Sequence, residues 1–178
     1  MISTFINYRL NNQFNKGELL YKSIFRDSML AGDTIKKAFE HFVPAASCGH
    51  AKSQLRVYQL YRLCCTYGPI CNVNKEDTFK WLKQSAESGE HEAQYLLGQL
   101  YLEGEINDLD RYKLAYDLFE KAGTAKSMVC QGYMLYYGLN GMMSRQDAFN
   151  KYDKARQMGW IDKKGIMQKM FGDDSEWL

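Results

Sequence analysis

The sequence predicts an all-α fold of stacked helical hairpins, on three observations. Large apolar residues recur at helical spacing through most of the 178 residues. Only two prolines interrupt the chain, and Leu, Tyr and Met are plentiful. A short pattern also returns four times: a small residue, an aromatic at +1, a large apolar residue at +4 and a small residue at +7. It is met at Ala38, Phe39, Phe42, Ala45; at Thr78, Phe79, Leu82, Ser85; at Ala115, Tyr116, Phe119, Ala122; and at Ala148, Phe149, Tyr152, Ala155. The starts lie 40, 37 and 33 residues apart, a period that marks a solenoid or array. On a helix, +1 and +4 face one neighbour, while +0 and +7 let another backbone approach closely.

In chain order, residues 1–32 are expected to cap the first repeat. Gly17 to Ala31 reads as one amphipathic helix with Leu19, Leu20, Ile24, Phe25, Met29 and Leu30 turned inward, because an end repeat needs its open face covered. The clearest hairpin follows from Trp81 to Gly104. Trp81, Leu82, Leu96, Leu97, Leu100 and Tyr101 keep helical spacing, and Ser85, Ala86, Ala93 and Gly98 are small where the two helices should touch. Gly89 falls where the first helix should stop, since a left-handed C-cap costs glycine little. Asn74 with Asp77, and Ser144 with Asp147, resemble capping boxes, and Asp108 and Asp110 are the expected caps of the third unit. Gly138 and Gly141 read as a turn between units. A C-terminal capping helix is expected over Ile161 to Phe171, and residues 172–178 form an acidic tail. The whole is expected to be one domain, 1–178, with helical repeats over 33–171.

The hairpin WLKQSAESGEHEAQYLLGQLY resembles a Sel-1-like repeat, a relative of the tetratricopeptide repeat. The matching residues are Trp81, Gln84-Ser85-Ala86, Gly89, Ala93, Leu97-Gly98, Tyr101 and Gly104. A looser match covers Phe42, Ala45, Ala46, Gly49, Val57 and Tyr61, and another covers Leu118, Lys121, Ala122, Gly132 and Gly138. The last unit keeps Lys154, Ala155, Gly159 and Phe171 but places Lys151 where the Trp should stand. The resemblance spans roughly residues 37–171. It implies a right-handed α-solenoid of about four repeats, a scaffold type that serves many partners.

The composition excludes several functions. Residues 1–74 hold nine Lys or Arg against four acids, and residues 75–178 hold fourteen against seventeen. That gradient is too mild for a nucleic-acid binder, which shows a dense basic stripe, but it suits a partner of complementary charge. No apolar run approaches the roughly 18–20 residues of a membrane span. The N-terminal stretch lacks the charged start and apolar run of an export signal. Five cysteines, Cys48, Cys64, Cys65, Cys71 and Cys130, form no CxxC pair, which argues for reduced thiols in the cytoplasm and against a zinc site. The cluster Cys64, Cys65 and Cys71 is read as small apolar core, with a redox or metal role as the alternative. His91-Glu92 opens like HExxH, yet Tyr95 stands where the second His must be. His41 is expected in the core and His50 in a turn. Glu87, Glu90, Glu92, Glu103 and Glu105 read as solvated helix ends. No cofactor, metal or catalytic set is expected.

The function expected is therefore surface recognition of another protein. The face between the packed columns carries Lys80, Lys83, Gln84 and Glu87 in the second unit, Asp117, Glu120 and Lys121 in the third, and Asn150, Asp153 and Lys154 in the fourth. The family resemblance makes this the concave face. Tyr136 and Tyr137 belong to a Tyr- and Met-rich stretch that one helix cannot bury whole, and such residues are enriched in interface cores. The expected partner is a single protein, a toxin or effector held one-to-one and inhibited by occlusion. An adaptor for signalling or assembly is the alternative, and an enzyme or ligand-binding protein with an unrecognised pocket is the third and last reading.

Overall fold

The computed structural model describes residues 2–26, 31–67, 74–162 and 165. Among them are eight helices and no strand: α1 Ile2–Ile24, α2 Ala31–Ser47, α3 Ala51–Tyr67, α4 Lys75–Glu87, α5 His91–Glu103, α6 Arg111–Ala122, α7 Ala125–Tyr137 and α8 Arg145–Gln157. They pack as two compact units, Met1–Ala93 and Gln94–Leu178. The expected C-terminal capping helix lies outside the described residues except for Ile161, Asp162 and Gly165, and the acidic tail lies outside them altogether.

The four-fold sequence pattern is a burial pattern. The +0 residues Ala38, Thr78, Ala115 and Ala148, and the +4 residues Phe42, Leu82, Phe119 and Tyr152, are all completely buried. The +7 residues Ala45, Ser85, Ala122 and Ala155 are buried as well. Each pattern lies on the first helix of a hairpin, and its +4 side chain is a knob directed at an earlier helix. Three of these knobs are rings lying on a glycine. A methyl group added at Gly17 of α1 would stand 2.6 Å from Cε1 of Phe42, one at Gly98 of α5 would stand 2.7 Å from Cε1 of Phe119, and one at Gly132 of α7 would stand 2.8 Å from Cε2 of Tyr152. In α3 the place of Gly98 and Gly132 belongs to Tyr58, which is buried and packs against Phe79 with ring centroids 6.0 Å apart. The +4 residue of this hairpin is the aliphatic Leu82, where the other three have rings.

This corrects two sequence expectations. Gly98 is small because of the ring of Phe119, on the helix that follows its hairpin. Ser85 is small against the helix before it, and its hydroxyl donates to the carbonyl of Ala51 at 2.8 Å.

In the first unit, α1 begins well before Gly17 and ends before Ala31. It lays its Gly17 side on α2, with Phe14 and Phe42 5.7 Å apart. Leu20 and Ile24 join the core with Ile35, Phe39 and Leu60. Leu19 and Phe25, expected inside, are 72% and 64% exposed, because the contact runs along the Gly17 face. Met29 and Leu30 lie outside the described residues. Glu18 accepts from both Nε and Nη2 of Arg56, tying α1 to α3 through a two-pronged ion pair. His41, expected in the core, instead reaches Gln13 of α1 at 2.8 Å.

Helix ends follow local chemistry. After α4, Gly89 takes φ +90°, its N–H reaches Ala86, and Glu90 N–H reaches Ser85 O at 3.2 Å, closing the helix as expected. Asn74 caps α4 by accepting from Glu76 N–H, so Asp77 is not its partner. Ser144 accepts from Asp147 N–H. Asp110 makes no side-chain cap, while Asp108 accepts from Asp110 N–H at 2.9 Å. The reciprocal capping box is at Thr124 and Ser127, unread in the sequence because Ser replaces the usual Glu or Gln at its third position.

Candidate functional site

Each unit carries a groove beside the first helix of a hairpin, and the same helix face makes both. In the first unit the groove is about 710 Å³ and is lined on α4 by Asp77, Lys80, Trp81, Gln84 and Glu87 and by its C-cap Ser88, with Ala46, Ser47, Gly49 and Gln54 opposite. In the second unit it is about 360 Å³ and is lined on α8 by Asp147, Asn150, Lys151 and Lys154, with Tyr116, Leu135, Met142 and Ser144 around them. Counted from the pattern start, Asp77, Lys80, Trp81 and Gln84 match Asp147, Asn150, Lys151 and Lys154 one for one. These positions fall between the buried columns, so the helix turns them outward.

A buried glutamine lines the first groove and another holds a lysine of the second. Gln54 is buried; its Nε2 donates to Ala46 O at 3.2 Å and to Gln84 Oε1 at 3.1 Å, while its Oε1 has no partner. Gln131, 2% exposed, accepts from Lys151 Nζ at 2.9 Å and donates to Tyr116 O at 3.5 Å.

The structure places the sequence-predicted residues as follows. Lys80, Lys83, Glu87, Asp117, Glu120, Lys121, Asn150 and Lys154 are exposed, and Gln84 and Asp153 are half-buried. Lys80, Gln84 and Glu87 share the first groove, and Asn150 and Lys154 the second; Lys83, Asp117, Glu120, Lys121 and Asp153 line neither. Tyr137 is exposed and Tyr136 half-buried, with centroids 5.1 Å apart and Arg145 over the Tyr136 ring. The repeat positions Ala93, Gly98 and Gly132 are buried, and Trp81, Tyr101, Gly104 and Gly138 are half-buried. Sequence reasoning missed Gln54 and Gln131. Their signal was weak, since a lone Gln on a helix reads as surface until its neighbours are known.

Burial pushes the Cys130 thiol up to about 12, and Glu103 adds to the rise, so it is protonated at neutral pH. Burial likewise raises the Tyr152 and Tyr116 phenols. Cys48 and Cys65 are exposed free thiols. Cys64, expected reduced, is buried and held in a disulfide. Among the described residues no group of three or more His, Cys, Asp or Glu could hold a metal ion, and no helix is long and apolar enough to cross a membrane.

His50 is placed to respond to pH. Its Nδ1 accepts from Ser53 N–H at 3.3 Å at the start of α3, and Nε2 faces Asn11 Oδ1 of α1 at 3.2 Å. Burial lowers its pKa and Lys52 adds to that, against an opposing pull from Glu90. A proton on Nδ1 would remove the cap and set positive charge at a helix N-terminus. The folded pKa lies below the unfolded value of about 6.5, so the unfolded chain binds more protons in between. This stabilisation is fully present above about pH 6.5 and is lost as pH falls towards the lowered value. The melting temperature of the chain should therefore drop between about pH 8 and pH 5, and His50→Asn, which can still cap, should flatten that drop. Parallel curves for the two proteins would show that His50 does not control it.

A protein-family comparison identifies the Sel1 repeat in four stretches, residues 28–50, 60–90, 91–127 and 128–158. No curated protein matches. Among solved structures, one similar chain is a protective antigen present in uropathogenic Escherichia coli strains and displaying an SLR fold. It is 26% identical with a TM-score of 0.66, over 85% of this chain and 31% of that one. A Sel1 repeat protein from Oxalobacter formigenes is 24% identical with a TM-score of 0.60, over 74% of this chain and 97% of that one. The chain thus spans about a third of the length of the first and nearly all of the second.

Proposed function

The chain belongs to the Sel1 repeat family, whose members generally serve as protein–protein interaction modules, and we propose that it binds one partner protein and performs no catalysis. The observation that carries this reading is the pair of repeat-equivalent grooves with outward charged and amide side chains. Recognition by such a face works through hydrogen bonds and charge complementarity that select a partner and speed encounter. In the finer form of the proposal the partner is a toxin or effector, held one-to-one and inhibited by covering its active face.

The test is capture of partners from source-cell lysate on the tagged chain at low and high salt, followed by calorimetry with the purified partner. A single stoichiometric partner that survives salt, and whose activity the chain suppresses, is expected. Several weak partners released by salt would replace the inhibitor reading with an adaptor. The charge reversals Lys80→Glu, Lys83→Glu and Lys154→Glu, all at exposed positions, should leave helicity unchanged and weaken the complex about tenfold or more, roughly 1.4 kcal/mol. Unaltered affinity in the triple variant would move the interface away from these lysines.

A further inference from the structure

We propose that the groove beside α8 is a binding site for an acidic side chain standing next to a large apolar residue of a partner, with Lys151 as its anion-binding group. The inference rests on the partner-binding reading and specifies what that partner presents. Lys151 stands where the clearest repeat has Trp81, so an apolar filler of the groove wall has been replaced by a cation. The replacement is held in place. Gln131, itself buried, accepts one proton of the ammonium at 2.9 Å, and the Tyr116 ring lies beneath it at 5.8 Å from the centroid. Among the described residues no carboxylate comes within 4.0 Å of Lys151, although Asp147 lines the same groove one turn earlier.

A half-buried ammonium fixed by a buried amide, with donors left over, suits a charge-assisted hydrogen bond to an anion. Lys154, one turn on, adds a second positive charge, so the groove carries two cations against one acid. The apolar lining specifies the rest. Leu135, Met142 and Tyr116 border the cations, and Met142 is 61% exposed, an adaptable surface for an apolar side chain. A carboxylate alone would use the lysines, and an apolar residue alone would leave them uncompensated; the two together match the groove.

The experiment uses two blocked dipeptides, acetyl-Leu-Glu-amide and acetyl-Leu-Gln-amide, which differ only in the charge. Each is titrated into the full chain while the Met142 and Leu135 methyl resonances are followed. The Glu probe should bind in the millimolar range and at least about fivefold more tightly than the Gln probe. Lys151→Met should abolish that preference with the helical spectrum unchanged. Lys154→Met, at an exposed position that cannot disturb the core, should reduce it. Equal binding of the two probes, no response at Met142 and Leu135, or a preference surviving Lys151→Met would overturn the site. Because the probes are read without any partner, such failure would leave partner binding standing. A chain that captures no partner would remove the binding reading without altering the probe result.

Discussion

Gly98→Leu is expected to destabilise the 94–178 unit by about 3 kcal/mol, near the upper end of overpacking costs, and to lower the melting temperature by roughly 10 °C or more. The cause is specific. The Gly98 Cα lies under the Phe119 ring, a first carbon already meets Cε1 at 2.7 Å and Cδ1 at 2.9 Å, and Phe119 is completely buried with no open side to retreat to. The preceding repeat suggests the remedy, since its sequence has Tyr58 at the place of Gly98 and Leu82 at the place of Phe119. Gly98→Ala with Phe119→Leu should therefore be more stable than the sum of the single changes implies, a coupling read directly by a double-mutant cycle. A native melting temperature in Gly98→Leu, measured by circular dichroism, would mean the ring does not press on the helix at all.

Phe42→Ala should have a comparable effect in the 1–93 unit, about 3–5 kcal/mol. The side chain is completely buried and lies on Gly17, so its removal opens a cavity under α1 as well as inside α2. Hydrogen exchange should show α1 losing protection ahead of α2 and α3, because Phe42 is its main ring contact on α2, and the half-buried Glu18–Arg56 pair that helps tie it to α3 contributes little. Leu19→Ala is the control. That side chain is mostly in solvent and its loss should stay within about 0.5 kcal/mol. Equal costs for the two variants would show that α1 is not held through the ring.

The contrast between Leu19 and Gly17 shows what the sequence could convey. Apolar spacing in α1 fits more than one helix face, and the spacing alone favoured the one with more leucine. The face used was chosen by a glycine whose partner is 25 residues away, which is information about a neighbour and not about the helix. The four-fold pattern was legible because its positions are buried whatever the neighbour is. Gly98 was legible as a place needing no side chain, but the helix causing the need was not. At the grooves, outward residues such as Lys80 and Lys154 followed from periodicity. Lys151 was visible as a departure from the repeat, yet the Gln131 that gives it a fixed position comes from a different helix.

The ring-on-glycine contacts also define which stretches of this chain can be exchanged. Within residues 94–178 each lock is shared by the second helix of one hairpin and the first helix of the next, Gly98 with Phe119 and Gly132 with Tyr152. A duplication or graft cut at the loop between hairpins would separate a glycine from its ring and could join Tyr58 to an incoming aromatic. A cut at the turn inside a hairpin, at Gly89 or Gly123, would carry glycine and ring together as one cassette. Lengthening or shortening this protein should therefore succeed by whole cassettes running from one such turn to the next, even though the sequence period is counted from hairpin to hairpin.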